Sequence, residues 1–153
     1  MKRSIIFSLI LCTLLIPAAM VRASNEKPTK EEVVAFVEEG REFAKQNGKE
    51  AFFKEITEGT KFKRGLLYFY VYDFQGVVLA HGAKPALVGK SLIDMKDKDG
   101  LPVIQTLRDT AAKGSGWVEY NWQNPDSKKV EKKLGYVVKF DDSWWFGSGT
   151  YTE

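Results

Sequence analysis

Apolar residues recur along this chain with two different periods, and the switch between them sets out its elements. From Thr29 onward, Val33, Phe36, Val37, Gly40, Phe43 and Ala44 fall at three-and-four spacing, the pattern of a helix with one apolar stripe. Thr29-Lys30-Glu31-Glu32 supplies a capping box at its start, with Pro28 just outside, and Asn47-Gly48 supplies its stop. A shorter helical piece over residues 50–56 carries Ala51, Phe52, Phe53 and Ile56 and ends by Gly59.

The period then changes to two. Residues 66–72 form a near-continuous apolar run, as expected of a central strand covered on both faces. Alternation puts Tyr68, Tyr70 and Tyr72 on one face and Leu67, Phe69 and Val71 on the other. One face is thus ordinary core, while the other presents phenols that need partners when buried. Asp73-Phe74-Gln75-Gly76 predicts a turn, and residues 77–81 return as the paired strand. Residues 82–116 leave the sheet: Gly82, Pro85, Gly89 and Gly100 keep the path irregular, apart from a helix over 102–113 with Val103, Ile104, Leu107 and Ala111 on one side. An excursion of this length must lie across a sheet face to find a core.

Residues 116–151 read as three strands, divided at Asn124-Pro125-Asp126-Ser127 and at Asp141-Asp142-Ser143. In the first, Val118, Tyr120 and Trp122 share a face opposite Trp117, Glu119 and Asn121. In the second, Leu134, Tyr136, Val138 and Phe140 lie opposite Lys133, Gly135 and Val137. Two helices, two strands, a helix-containing crossover and three strands make an α+β domain around a five-stranded antiparallel sheet, one domain over residues 29–153.

Residues 1–23 read as a targeting segment. Lys2-Arg3 precedes an apolar run over residues 5–16, and Val21-Arg22-Ala23 stands before a cleavage point ahead of Ser24. That run is broken by Pro17 and falls short of the roughly 20 residues that span a bilayer. A cleaved secretory signal peptide is therefore expected, with a periplasmic or secreted location and a flexible N-terminus over residues 24–28. The formal charge of +3 shrinks accordingly: Lys2, Arg3 and Arg22 lie in that segment and no acid does, which leaves the mature chain with equal numbers of basic and acidic residues. A nucleic-acid binder keeps a positive face, so no nucleic-acid partner is expected. Cys12 leaves with the signal, so neither a disulfide nor a thiol nucleophile remains.

Little else carries chemistry. Asp97-Lys98-Asp99-Gly100 fails as a calcium loop, because aligning Gly100 with its sixth position puts Met95 first and Thr106 twelfth; a capped turn is expected. Gly147-Ser148-Gly149 lacks the spacing of a nucleophile elbow. With His81 as the only histidine there is no metal cluster, and no cofactor or catalytic set is expected. His81 itself reads either as a structural hydrogen-bonder or as a ligand contact. Lys133 is the more informative residue. If the hairpin through Asn124-Pro125 pairs Tyr120 with Lys133, an ammonium, a phenol and the Trp122 indole converge on one patch, which suits a carboxylate. On spacing alone, a snorkelling surface lysine beside core aromatics accounts for it equally.

The ordered blocks YFYVYDFQGVVLAHG, PALVGKSLIDMKDKDG, GWVEYNW, KKLGYV and WWFGSGTY resemble the single Cache domain of the second type over roughly residues 29–151. That resemblance implies a PAS-like sheet with a long N-terminal helix and a pocket between sheet and crossover, in a family similar to receptors for acetate, propionate, pyruvate or lactate. The family's lysine-x-x-tyrosine-valine block falls on Lys133 and Tyr136, its tyrosine-x-tryptophan block on Tyr120 and Trp122, its aspartate-glycine hairpin on Asp73 and Gly76, and its closing glycine-x-tyrosine on Gly149 and Tyr151. The resulting expectation is a non-enzymatic, sensor-type binding domain for a small organic acid. Lys133 anchors the carboxylate, Tyr120 and Tyr70 donate hydrogen bonds, Trp122 walls the pocket, His81 closes it and Tyr136 completes the block. Receptors of this type continue into a transmembrane helix, whereas the mature sequence shows no membrane span, so the expected partner is a membrane-bound sensor kinase or chemoreceptor. The runner-up is an interaction module that docks on such a partner without a ligand of its own.

Overall fold

The computed structural model describes residues 27–152; the expected signal peptide lies outside the described residues. Helix α1, Lys30–Asn47, starts as its sequence dictates: Glu32 N–H donates to Thr29 Oγ1 at 3.2 Å and Thr29 N–H donates to Glu32 Oε2 at 2.8 Å. Gly48, at φ 84°, turns the chain directly into α2, Lys49–Thr57. Strands β1, Tyr70–Asp73, and β2, Val78–His81, form the first hairpin. After the crossover and α3, Val103–Ala112, the chain closes with β3, Ser115–Gln123, β4, Val130–Lys139, and β5, Trp144–Tyr151. All pairings are antiparallel, in the order β2-β1-β5-β4-β3. Among the described residues no helix is long and apolar enough to cross a membrane.

The run expected as a strand over residues 66–72 is strand only from Tyr70. Before it, Arg64 and Leu67 exchange both backbone hydrogen bonds around Gly65, at φ 57°, and this tight turn uses the ladder groups that a longer strand would need. The alternation of side chains nonetheless holds through the turn. Phe69 and Val71 join Phe36, Phe52 and Phe146 in a core under α1 and α2, while Tyr68, Tyr70 and Tyr72 join Ile104, Leu107 and Trp145 under α3. The sheet is therefore covered on both faces, by the helices on one side and by the crossover on the other.

Two features fix these layers. Gly40 lets α1 approach the sheet, since a Cβ there would stand 2.5 Å from the ring of Phe69. On the opposite side Asp97 clips the crossover to the edge strand β3. Its Oδ1 accepts from the backbone N–H groups of Asp99 and Leu101, and its Oδ2 accepts from both the backbone and the side-chain N–H of Asn121 at 2.9 Å. These bonds hold the Asp97 carboxyl down at about 2 against the opposing effect of burial. The stretch expected as a capped turn is one, with the added role of fastening the roof of the second core.

Candidate functional site

Strand registry assembles the site. The β3–β4 hairpin sets Tyr120 opposite Lys133, and the β4–β5 hairpin sets Tyr151 opposite the same lysine, so the three side chains form one row on the crossover face. Tyr70 pairs with Gly147, and His81 pairs with Tyr70. Between these groups the floor is glycine. A Cβ on Gly135 would lie 2.7 Å from Tyr70 Oη and 2.9 Å from the Tyr120 ring, and one on Gly149 would lie 3.0 Å from Lys133 Cε. Without side chains there, the phenols and the lysine stem can lie down on the sheet.

Lys133 is 1 % exposed. Its amine donates to Tyr68 Oη at 2.7 Å and lies 3.9 Å from the centre of the Tyr68 ring, 5.1 Å from that of Tyr151 and 5.2 Å from that of Tyr70. The hydroxyl protons beyond it can be assigned. Tyr151 Oη donates to the Gln123 carbonyl at 3.0 Å, so in its 3.0 Å contact with Tyr68 it must accept, and Tyr68 donates to Tyr151 while accepting from Lys133. A second relay runs from Tyr120 to Tyr70 and on to the Ser148 carbonyl at 3.3 Å. Burial holds the Lys133 amine well below its ordinary range, because no acid offsets the desolvation. Burial likewise raises Tyr68, Tyr70, Tyr72, Tyr120 and Tyr151, which keeps these phenols as neutral donors.

His81, also 1 % exposed, stacks on Tyr68 with ring centres 5.4 Å apart. Its Nδ1 accepts from the backbone N–H groups of Ala83 and Lys84, which places the ring proton on Nε2. Burial, then the charges of Lys133 and Lys84, lower it to about 3, so the imidazole is neutral at physiological pH. His81 shares a cavity with Tyr70, Tyr72 and Tyr120; Ile104 and Leu107 of α3 and the half-buried Trp122 complete its wall. About 210 Å³ separates the lining atoms, mouth included, but the centre of a water can occupy only about 10 Å³ of it, room for about one water. Lys133 lies one ring away, reached through Tyr70.

Of the residues predicted from sequence, Lys133, Tyr120, Tyr70, His81 and Trp122 come together on one face. Tyr136 does not. Alternation along β4 sends it to the helix face, where it packs on Trp117 at 5.0 Å and on the phenylalanine core, so it is corrected from a ligand contact to a packing residue. Lys132, the other lysine of the pair, points outward and meets Glu119 at 2.6 Å. The residues missed are Tyr68, the one hydrogen-bond partner of Lys133 among the described residues, and Tyr151, matched to the family's closing block without a role at the site. Their signal was present, since Tyr68 shares parity with Tyr70, and counting back through the Asp141-Asp142-Ser143 turn sets Tyr151 against Lys133. Among the described residues no group of His, Cys, Asp or Glu could hold a metal ion.

Comparison with known proteins agrees with this geometry. The chain is 37% identical over 87 residues to the sensor histidine kinase MctS of Rhizobium johnstonii, which covers 56% of this chain and 19% of that protein. It is 30% identical over 88 residues to the methyl-accepting chemotaxis protein McpP of Pseudomonas putida, covering 56% of this chain and 16% of that one. The chain thus spans less than a fifth of the length of either relative. A crystal structure of a methyl-accepting chemotaxis protein from Vibrio parahaemolyticus superposes with a TM-score of 0.71 at 34% identity, over 80% of this chain and 87% of that one. A Cache chemosensory domain described for its carboxylic acid recognition gives 0.61 at 27% identity, over 78% and 85%. The sequence family described as single Cache domain 2 matches residues 29–153, and with the five-stranded sheet roofed by its crossover, this chain belongs to that family.

Proposed function

We propose that this chain is an exported sensor-type domain that binds a small monocarboxylate, of the class of acetate, propionate, pyruvate or lactate, and presents it to a membrane-bound sensor kinase or chemoreceptor. One observation carries the reading: a fully buried amine, Lys133, whose only hydrogen-bond partner among the described residues is a phenol and which meets no acid. Removing an unpaired charge from water costs several kcal/mol, and a carboxylate beside Nζ offsets that cost with a charge-assisted bond. The Nε2–H of His81 supplies a further neutral donor, Tyr70 and Tyr120 could turn their hydroxyls from their present acceptors to the acid, and Ile104, Leu107 and Trp122 suit a short apolar tail. The buried set holds no acid for an ammonium group and no second buried cation, which disfavours amino acids and dicarboxylates. The resemblance to a carboxylic-acid-recognising Cache domain supports the same class.

Thermal shift against acetate, propionate, pyruvate and lactate tests this. At a hundredfold excess over Kd, binding stabilises by about 2.7 kcal/mol, which corresponds to a Tm rise of roughly 8 °C. A Lys133→Ala protein that keeps the response removes the anchor, and a wild-type protein unmoved by any of the four acids removes the function. The tightness of the cavity, with space for about one water, favours one second reading. In it the domain docks on its kinase or receptor with the hollow filled by its own phenols. Retention on the partner's ectodomain that is equal with and without the acids supports that reading over the first.

A further inference from the structure

The groups around Lys133 point to a coupling that goes beyond which acid is bound. From the chain before β1 and from β1 itself, Tyr68 and Tyr70 face its amine; from β5, Tyr151; from β3, Tyr120 across the register; from β2, His81. From the crossover, the charge of Lys84 acts on His81, and its Nζ is held by Gln123 Oε1 at 2.7 Å. Helix α3 packs on this core with Val103, Ile104, Leu107 and Ala111, all apolar. The one acid of matching parity on β4 is Glu131. It turns to the hairpin, where Oε2 accepts from Asn124 and Oε1 from Ser127. The phenols remain neutral and the imidazole carries its proton on Nε2 alone, so among the described residues no anion compensates the amine.

We propose that acid capture at this site is coupled to proton uptake: Lys133 takes a proton from solvent onto Nζ when a carboxylate arrives beside it, and releases that proton when the carboxylate leaves. This rests on the reading of Lys133 as the carboxylate anchor. The balance is simple, since one proton and one carboxylate anion enter together and the buried net charge is unchanged between the neutral amine alone and the ammonium–carboxylate pair. Desolvation, which disfavours the lone ammonium, is what makes the amine wait for its partner. The bound pair has the higher pKa, so affinity for the anion is flat below the pKa of the free amine. Above it, affinity falls by up to tenfold per pH unit until the pKa of the pair is reached. The domain then reports the acid and the acidity of its surroundings together, responding most strongly where a weak acid has accumulated and lowered the pH.

The experiment is isothermal titration of the full chain with acetate from about pH 6 to about pH 9, in pairs of buffers with different ionisation enthalpies, acetate itself being ionised throughout. The expected result is an uptake that approaches one proton per acetate at the alkaline end, with Kd rising by up to tenfold per unit there. In parallel, the Lys133 side-chain NMR resonances should titrate well below an ordinary lysine and move to higher pH on adding acetate. Acetate binding with no proton exchange and a constant Kd overturns the coupling and leaves the carboxylate site standing. Failure of acetate, propionate, pyruvate and lactate alike to bind overturns the site, and the coupling with it.

Discussion

Replacing Lys133 by methionine isolates the amine, because the thioether keeps the length of a stem that packs over Gly149. In the folded protein this amine is buried, joined to one phenol and, among the described residues, free of acids. In the unfolded chain it titrates near 10.4. Between the depressed folded value and that unfolded value the unfolded state binds the extra proton, so the stability of the wild type rises with pH over this window. The slope is at most about 1.4 kcal/mol per unit for one group. Across that window the wild type is expected to gain on the methionine variant at up to that slope. The buried phenols act with the opposite sign. Their raised values keep them protonated in the fold while unfolded tyrosines ionise near 10, so stability falls above that pH in both proteins and cancels in the difference. At neutral pH the variant should be the more stable, by roughly 1–4 kcal/mol, as when a buried charge gives way to an apolar isostere. Urea denaturation of both proteins at several pH values, in buffers without carboxylates, measures the difference directly. A difference that stays constant from neutral to alkaline pH would refute the picture of a desolvated, unpaired amine.

Three further outcomes follow from the same contacts. Gly135→Ala places a methyl 2.7 Å from Tyr70 Oη and 2.9 Å from the Tyr120 ring; it should cost about 1–3 kcal/mol in chemical denaturation and weaken the thermal response to acetate. Tyr136→Phe, on the helix face beside Trp117, should leave that response unchanged and shift stability by less than about 0.5 kcal/mol. Thr29→Ala removes the hydroxyl that caps α1 and should lower unfolding free energy by about 1 kcal/mol, with no effect on acid binding by calorimetry.

How much of the site was legible depends on which pairings a turn can fix. The β3–β4 and β4–β5 registers follow from short hairpin connections, so the row Tyr120, Lys133 and Tyr151 can be counted from the sequence. The pairing of β1 with β5 joins segments far apart in the chain, and no turn sets it; the placement of Tyr70 over Gly147 had to come from packing. His81 shows the limit most sharply. Tyr72 pairs with Val78, and continuing that register would set Tyr70 against Ala80 and turn His81 to the helix face. The irregularity at Leu79 inserts one residue, pairs Tyr70 with His81 and brings the imidazole to the phenols. Neither its position nor its existence shows in the pattern of apolar residues. Tyr136 failed for the opposite reason: its parity was readable, and the motif that joined it to Lys133 crossed from one face of the strand to the other.

The choice of lysine over arginine at position 133 bears on the same chemistry. A guanidinium stays charged at any pH the fold survives, and it offers a planar fork that needs several acceptors. Here the stem runs under Tyr68 and over Gly149, and the one hydrogen-bond acceptor the amine has among the described residues is the Tyr68 oxygen, so an arginine would keep a permanent and mostly unsatisfied charge in the core. Lysine can surrender its proton, which lets the unliganded fold persist without a counter-ion. On the proposed reading the same property would make the amine selective, because a neutral amide or alcohol offers nothing that favours reprotonation, while a carboxylate does. The Asp97 clip holds the crossover against β3, and the glycine floor leaves space for the phenols that surround the amine. On that reading, sensitivity to an anion would come from the lack of a competing acid beside the amine among the described residues, rather than from an accumulation of positive charge.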